Sequence, residues 1–235
     1  PGRNIAALAS LLLQFRDHAG RPPCFTLNFI VNRPDYEAIE DSGFRAYRSL
    51  PIELPGALLT ALDSRDVVFE PQLHGAEHLA PARWLRLLRQ GSPDLLACFS
   101  ARSMPPPALV ARHPGLGAAY LPCPDEEREI VPPPSERLRE GLRSFRTIFG
   151  RPAEGFVAPN HAWDAALARV LTTEGIRYLQ ACHVRYETFE GAEAGEWQPL
   201  SAGSESGGGL WRQTRNVDFE PAVRPADVES GIARA

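Results

Sequence analysis

A chain of 235 residues, 43% of them hydrophobic, is long enough to bury a sizeable core as one large domain or two small ones. Its formal net charge of -4 argues against nucleic acid as a partner, because phosphate binding needs clustered positive charge. All 25 residues of the Lys and Arg total are arginines, so Schiff-base lysine chemistry and a P-loop lysine are excluded. The four cysteines, Cys24, Cys98, Cys123 and Cys182, form no Cys-x-x-Cys pair of the zinc-ribbon or thioredoxin kind and read as small core residues. No apolar run reaches the roughly 18 residues of a membrane span, and the start lacks the basic-then-apolar layout of a signal peptide. That favours a cytoplasmic setting, with Pro1 and the interrupted helical pattern before Ala235 reading as the cut ends of a fragment.

Ile5, Leu8, Leu11, Leu12 and Phe15 recur at helical spacing, and Gly20-Arg-Pro-Pro23 stops that helix. Cys24-Phe-Thr-Leu-Asn-Phe-Ile-Val31 reads as a strand buried on both faces, the pattern of a parallel sheet. A short helix over 54–62, a strand over 67–73, a helix over 77–90 and a short strand over 95–99 follow. The stretch 103–134 is crowded with proline, which removes a donor and fixes φ, so it is an irregular excursion: a linker or a structured loop over one end of the sheet. The alternation then resumes with a helix over 135–149, a strand over 155–158, a helix over 162–173 and a strand over 176–182. Residues 190–209 form a polar, Gly-rich surface loop, and 210–214 form a last strand. Alternating strand and helix without a Gly-x-Gly-x-x-Gly turn favours a parallel α/β fold over a dinucleotide-binding one.

Chemistry in such folds gathers at the carboxyl ends of the strands. His74 stands there, and His78 follows four residues later, after Gly75, able to turn back toward the same point. Two neutral imidazoles suit zinc or a similar divalent ion, which still needs a carboxylate and a water. Asp35, after the first strand, either completes that site, acts as a general base, or caps the next helix. Asn32 beside it is a substrate-pocket or turn residue. In Ala158-Pro-Asn-His-Ala-Trp-Asp164, Asn160 is a candidate helix cap or pocket residue, His161 a candidate acid, and Trp163 a candidate sugar platform or simple packing. Arg215 and Asn216 close the final strand and are candidate substrate contacts.

The pattern resembles the polysaccharide deacetylase superfamily. His74-Gly-Ala-Glu-His78 matches its His-x-x-x-His motif in type, spacing and strand-to-helix context, and Gly155-Phe-Val-Ala-Pro159 is similar to its later groove segment. Thr26-Leu-Asn-Phe-Ile-Val-Asn-Arg-Pro-Asp35, with Gln72-Leu-His-Gly75 and Arg215-Asn-Val-Asp-Phe-Glu-Pro221, resembles an uncharacterised bacterial branch. The resemblance implies an irregular parallel (β/α) barrel over 1–235 and a divalent metal held by His74, His78 and an aspartate. Two departures stand out: the superfamily's paired aspartates are replaced by Asn28 and Asn32 followed by a single Asp35, and Val157 and Ala158 occupy the place of its groove arginine.

The activity expected from this resemblance is removal of an acyl group, N-acetyl above all, from a carbohydrate by a metal-dependent hydrolase. Two alternatives remain open: a catalytically silent carbohydrate-binding domain of the same fold, and a metal-free glycoside hydrolase using two carboxylates such as Glu70 and Asp35.

Overall fold

The computed structural model describes residues 2–62, 68–122, 129–182, 184–187, 196–199, 205–206 and 209–214. Its centre is a six-stranded sheet in the order β1-β4-β5-β6-β10-β9, with β1 (Phe25–Phe29), β4 (Phe69–Leu73), β5 (Gly155–Val157), β6 (Tyr178–Ala181) and β10 (Leu210–Thr214) parallel, and β9 (Glu205–Ser206) antiparallel at the end. The chain is therefore mixed α/β with a parallel sheet of five strands, as the alternation predicts. Two antiparallel pairs flank it: β2 (Asn32–Pro34) with β3 (Ser49–Pro51), and β7 (Val184–Glu187) with β8 (Glu196–Pro199). Strands β8 and β9 put strand structure inside the stretch 190–209 expected to be a polar loop.

Every crossover from β1 to β6 carries helix, because parallel neighbours cannot be joined by a tight turn. The first holds α2 (Tyr36–Asp41) and α3 (Gly56–Leu62); the second holds α4 (Pro81–Arg89), α5 (Pro93–Ser100), α6 (Pro107–Ala111) and α7 (Pro134–Phe149); the third holds α8 (Ala165–Thr173). An N-terminal helix, α1 (Gly2–Leu12), packs Ile5, Leu8 and Leu12 against Phe69, Leu27 and Leu62. The main core joins strand residues Leu73, Phe156 and Leu179 to Leu138 and Phe145 of α7 and Leu167 and Leu171 of α8. A second cluster is aromatic: Tyr36, Phe44, Trp84 and Phe99 meet with ring centroids 5.1–6.3 Å apart around Leu85 and Leu88.

Three expectations change. Strand β1 is not buried on both faces: among the described strands it is the sheet's edge, and Phe25 is 48% exposed, because an apolar run reports composition and not position in the sheet. Residues 95–99 are helical within α5, where Pro93 and Asp94 open a first turn and Leu95 and Phe99, four apart, bury one face. Helix α4 begins at Pro81, not at 77, leaving 74–80 as a loop. Of the two readings of the proline-rich stretch, the structured loop is the one found where it is described: Leu109, Leu116, Tyr120, Leu121 and Val131 are all buried.

Candidate functional site

His74 is the first residue past β4, and its backbone N–H continues the ladder by donating to the Phe29 carbonyl at 2.8 Å. Its ring Nδ1 lies 2.8 Å from the carbonyl oxygen of Val157, the last residue of β5. A carbonyl can only accept, so Nδ1 carries the hydrogen, and Nε2 is the ring nitrogen that a neutral His74 would offer to a metal. The His78 ring sits with its centroid 5.0 Å from that of His74 at an interplanar angle of 68°. Burial holds the His78 pKa below the usual imidazole value, so this ring is neutral near pH 7.

The loop between the two histidines is fixed from beneath. Gly75 has φ 101°, and a Cβ there would lie 2.8 Å from Cε2 of Tyr120, so both its conformation and its surroundings require glycine. The Tyr120 hydroxyl accepts from Ala76 N at 2.6 Å. Glu77 turns inward, 3% exposed, and forms an ion pair with Arg137 of α7. Burial pushes the Glu77 carboxyl up, against the downward pull of the guanidinium. Arg137 also donates to the carbonyls of Pro132 at 3.0 Å and Ala119 at 2.7 Å, and its guanidinium lies 5.4 Å from the Tyr120 ring centroid. One arginine thus ties the histidine loop to two points of the proline-rich segment.

Opposite His78 the chain passes through a strained turn after β5. Asn160 (φ 52°) and His161 (φ 55°) occupy the left-handed region in succession, a conformation costing non-glycine residues about 1–3 kcal/mol each. The turn brings Asn160 Nδ2 to 3.0 Å from the Gly117 carbonyl, 3.3 Å from the His78 carbonyl and 3.4 Å from His78 Nδ1. The two carbonyls orient the amide, so its nitrogen faces the ring as a donor.

Of the residues singled out from sequence, His74, His78 and Asn160 come together at the carboxyl edge, with His161 next to Asn160. Asp35 takes the capping role: its Oδ1 accepts from Ala38 N at 3.2 Å at the start of α2. Asn32 donates to Ser49 Oγ at 3.0 Å and Glu140 Oε1 at 3.3 Å. Trp163 is 1% exposed within the main core, so its indole has no face open to a sugar. The cap of α8 is Asp164, whose Oδ1 accepts from Leu167 N at 2.7 Å, and not Asn160. Glu70 pairs with Arg151 at 2.6 Å near the amino end of β4, whereas Asp35 lies past the carboxyl end of β1; the two carboxylates are not brought together. Arg215 and Asn216 lie outside the described residues. Among the described residues no three His, Cys, Asp or Glu side chains converge on a point where an ion could sit.

Tyr120 and Arg137 escaped the sequence reading. Arg137 had a signal: it stands four and eight residues before Gly141 and Phe145, on the face of α7 that is buried. Nothing in the sequence marks Tyr120.

No family model matches the chain, and no curated protein sequence matches it. Among solved structures, the novel alpha-amylase AmyC from Thermotoga maritima aligns at 11% identity and a TM-score of 0.32, over 71% of this chain and 22% of that one. Among the described residues no helix is long and apolar enough to cross a membrane.

Proposed function

We propose that the chain is a metal-dependent hydrolase that removes acyl groups, N-acetyl in particular, from a carbohydrate, on a barrel of the polysaccharide deacetylase type. The reading rests on one observation above all, the bond from His74 Nδ1 to the Val157 carbonyl, which leaves Nε2 as the nitrogen for a metal, on a ring beside the neutral His78 imidazole. The ring spacing supports a divalent ion such as zinc: two imidazoles on one tetrahedral ion, with metal–nitrogen bonds of about 2.0–2.1 Å, have centroids roughly 5 Å apart, and these stand at 5.0 Å. His74 and His78 would hold the ion and an acid would complete the set. When bound, the ion supplies polarisation of the acyl carbonyl and a more acidic water. The protein's own part is to hold the two rings in place, through Val157 on one side and the Tyr120–Arg137–Glu77 support beneath.

A second reading, a silent carbohydrate-binding domain of the same fold, is favoured by Asn160, whose amide nitrogen faces the very His78 Nδ1 that a metal ligand would need protonated or bare. Elemental analysis after zinc loading, run on wild type, His74→Ala and His78→Ala, separates the two. About one ion per chain, lost in both variants, together with acetate released from an acetylated amino sugar, supports the hydrolase. A wild type that takes up no zinc overturns it in favour of the silent domain.

A further inference from the structure

Among the described residues β1 pairs with β4 alone, so its outer side offers unpaired backbone groups. The ladder decides which groups these are. Phe25 N donates to the Val68 carbonyl and the Phe29 carbonyl accepts from His74 N, so residues 25, 27 and 29 turn their N–H and C=O toward β4. Successive residues of a strand alternate, so Thr26 and Asn28 turn theirs outward. Both are exposed, as is Phe25.

Natural sheets protect such an edge with charged side chains, a proline within the strand, or a bulge. Strand β1 has none of these: no charged residue occurs between Arg21 and Arg33, and the register with β4 runs unbroken from Phe25 to Phe29. Apolar surface continues beside it, where α1 covers Leu27 and its own Leu11 stands 50% exposed. The sequence of the strand suits its own copy. Turned antiparallel about Leu27, two copies set Phe25 opposite Phe29 and Thr26 opposite Asn28. The outward N–H and C=O of Thr26 and Asn28 are then all paired, phenyl rings meet on the helix-covered face, and two hydrogen-bonding side chains meet on the other. A slip of one residue would set outward groups against inward ones, and with no charge on either strand nothing repels the copy.

We infer that β1 is an association surface on which a second copy of this chain docks, antiparallel, across a two-fold axis through Leu27, so that the sheet continues from one protomer into its partner. The inference needs the barrel to be open at β1 and owes nothing to the hydrolase reading. His74 lies past the carboxyl end of β4, the neighbour of β1, so the antiparallel arrangement sends the two histidine pairs to opposite edges of the joined sheet.

The test measures the mass of the whole chain by light scattering and sedimentation over a micromolar concentration series. Wild type should reach twice the chain mass at the top of the series and dissociate on dilution. Thr26→Pro removes an outward N–H and leaves the β1–β4 bonds alone, so it should be monomeric with an unchanged circular dichroism spectrum. Thr26→Lys adds the edge charge that β1 lacks and should weaken association about tenfold, which keeps the test decisive if the proline variant misfolds. Crosslinking in a Cys24→Ser background reads the register. Thr26→Cys mixed with Asn28→Cys should form an intermolecular disulfide faster than either variant alone, because residues opposed in this way have Cα atoms about 5.5 Å apart, within disulfide reach. A wild type that stays monomeric, a dimer that survives both Thr26 variants, or a mixture that crosslinks no faster than its components overturns the inference. A monomer with slow hydrogen exchange at Thr26 and Asn28 overturns it too, by giving the edge to a strand of the same chain. Zinc uptake and acetate release are read separately, so failure of the hydrolase reading leaves this result standing.

Discussion

Arg137 is the residue on which the candidate site most depends without touching it. Removing one partner of a buried ion pair strands the other charge, so Arg137→Met should destabilise the fold by about 3–5 kcal/mol. The double change Glu77→Leu with Arg137→Met should recover most of that loss, because two apolar groups strand nothing. Urea midpoints of the single and double variants measure the coupling, and a double variant as unstable as the single would show that the guanidinium matters through Pro132 and Ala119 instead. His78 gives a pH prediction of definite sign. Desolvation lowers its folded-state pKa below the model value of 6.5, so between those two values the unfolded chain binds more protons than the folded one. Stability contributed by the neutral ring is therefore complete above 6.5 and is lost as pH falls from there through the folded-state pKa. Wild type should lose more stability than His78→Gln between about pH 7.5 and pH 5, and parallel curves would place the ring in water rather than in the loop.

At the scale of elements, α7 and the histidine loop are locked by close approach. Gly141 faces Ala76, and a Cβ at 141 would lie 3.1 Å from Ala76 N and 3.2 Å from its Cβ. Gly→Ala in an exposed helix interior usually stabilises by about 0.5–1 kcal/mol. Here the neighbour is backbone already held by Tyr120, so Gly141→Ala should instead destabilise by about 1–3 kcal/mol, as overpacking does. A higher melting temperature for that variant would mean the loop gives way freely. The element boundaries show where local signals end. Helix α7 was legible to within a residue, since its apolar spacing is long and Gly150 closes it in a left-handed cap with φ 69°. Residues 95–99 were misread because five apolar residues suit a strand or a helix face equally; the flanking Ser92-Pro-Asp94 start signal was the better guide.

At the scale of the whole molecule the sheet's centre outweighs its edges. Phe156 of β5 is fully buried between α7 and α8, and Phe156→Ala should cost about 3–5 kcal/mol, whereas Phe15→Ala, at a residue 57% exposed, should change the midpoint little. A small effect at Phe156 would deny β5 its place in the main core.

By itself the sequence determined the parallel α/β class, the long helices, the strand ends that carry His74 and Asn160, and the helix cap at Asp35 as one of its readings. These follow from hydrophobic periodicity and turn chemistry, which act over a few residues and leave a local trace. Only the tertiary structure decided that Glu77 turns inward to Arg137, that Tyr120 holds the loop, that Trp163 is core, and that β1 is an edge among the described strands. Each of those depends on what a residue 44 or more positions away, or a neighbouring strand, places against it, as the bond from Ala76 to Tyr120 illustrates. Burial and pairing across such separations are set by how the elements pack, and no local pattern encodes them.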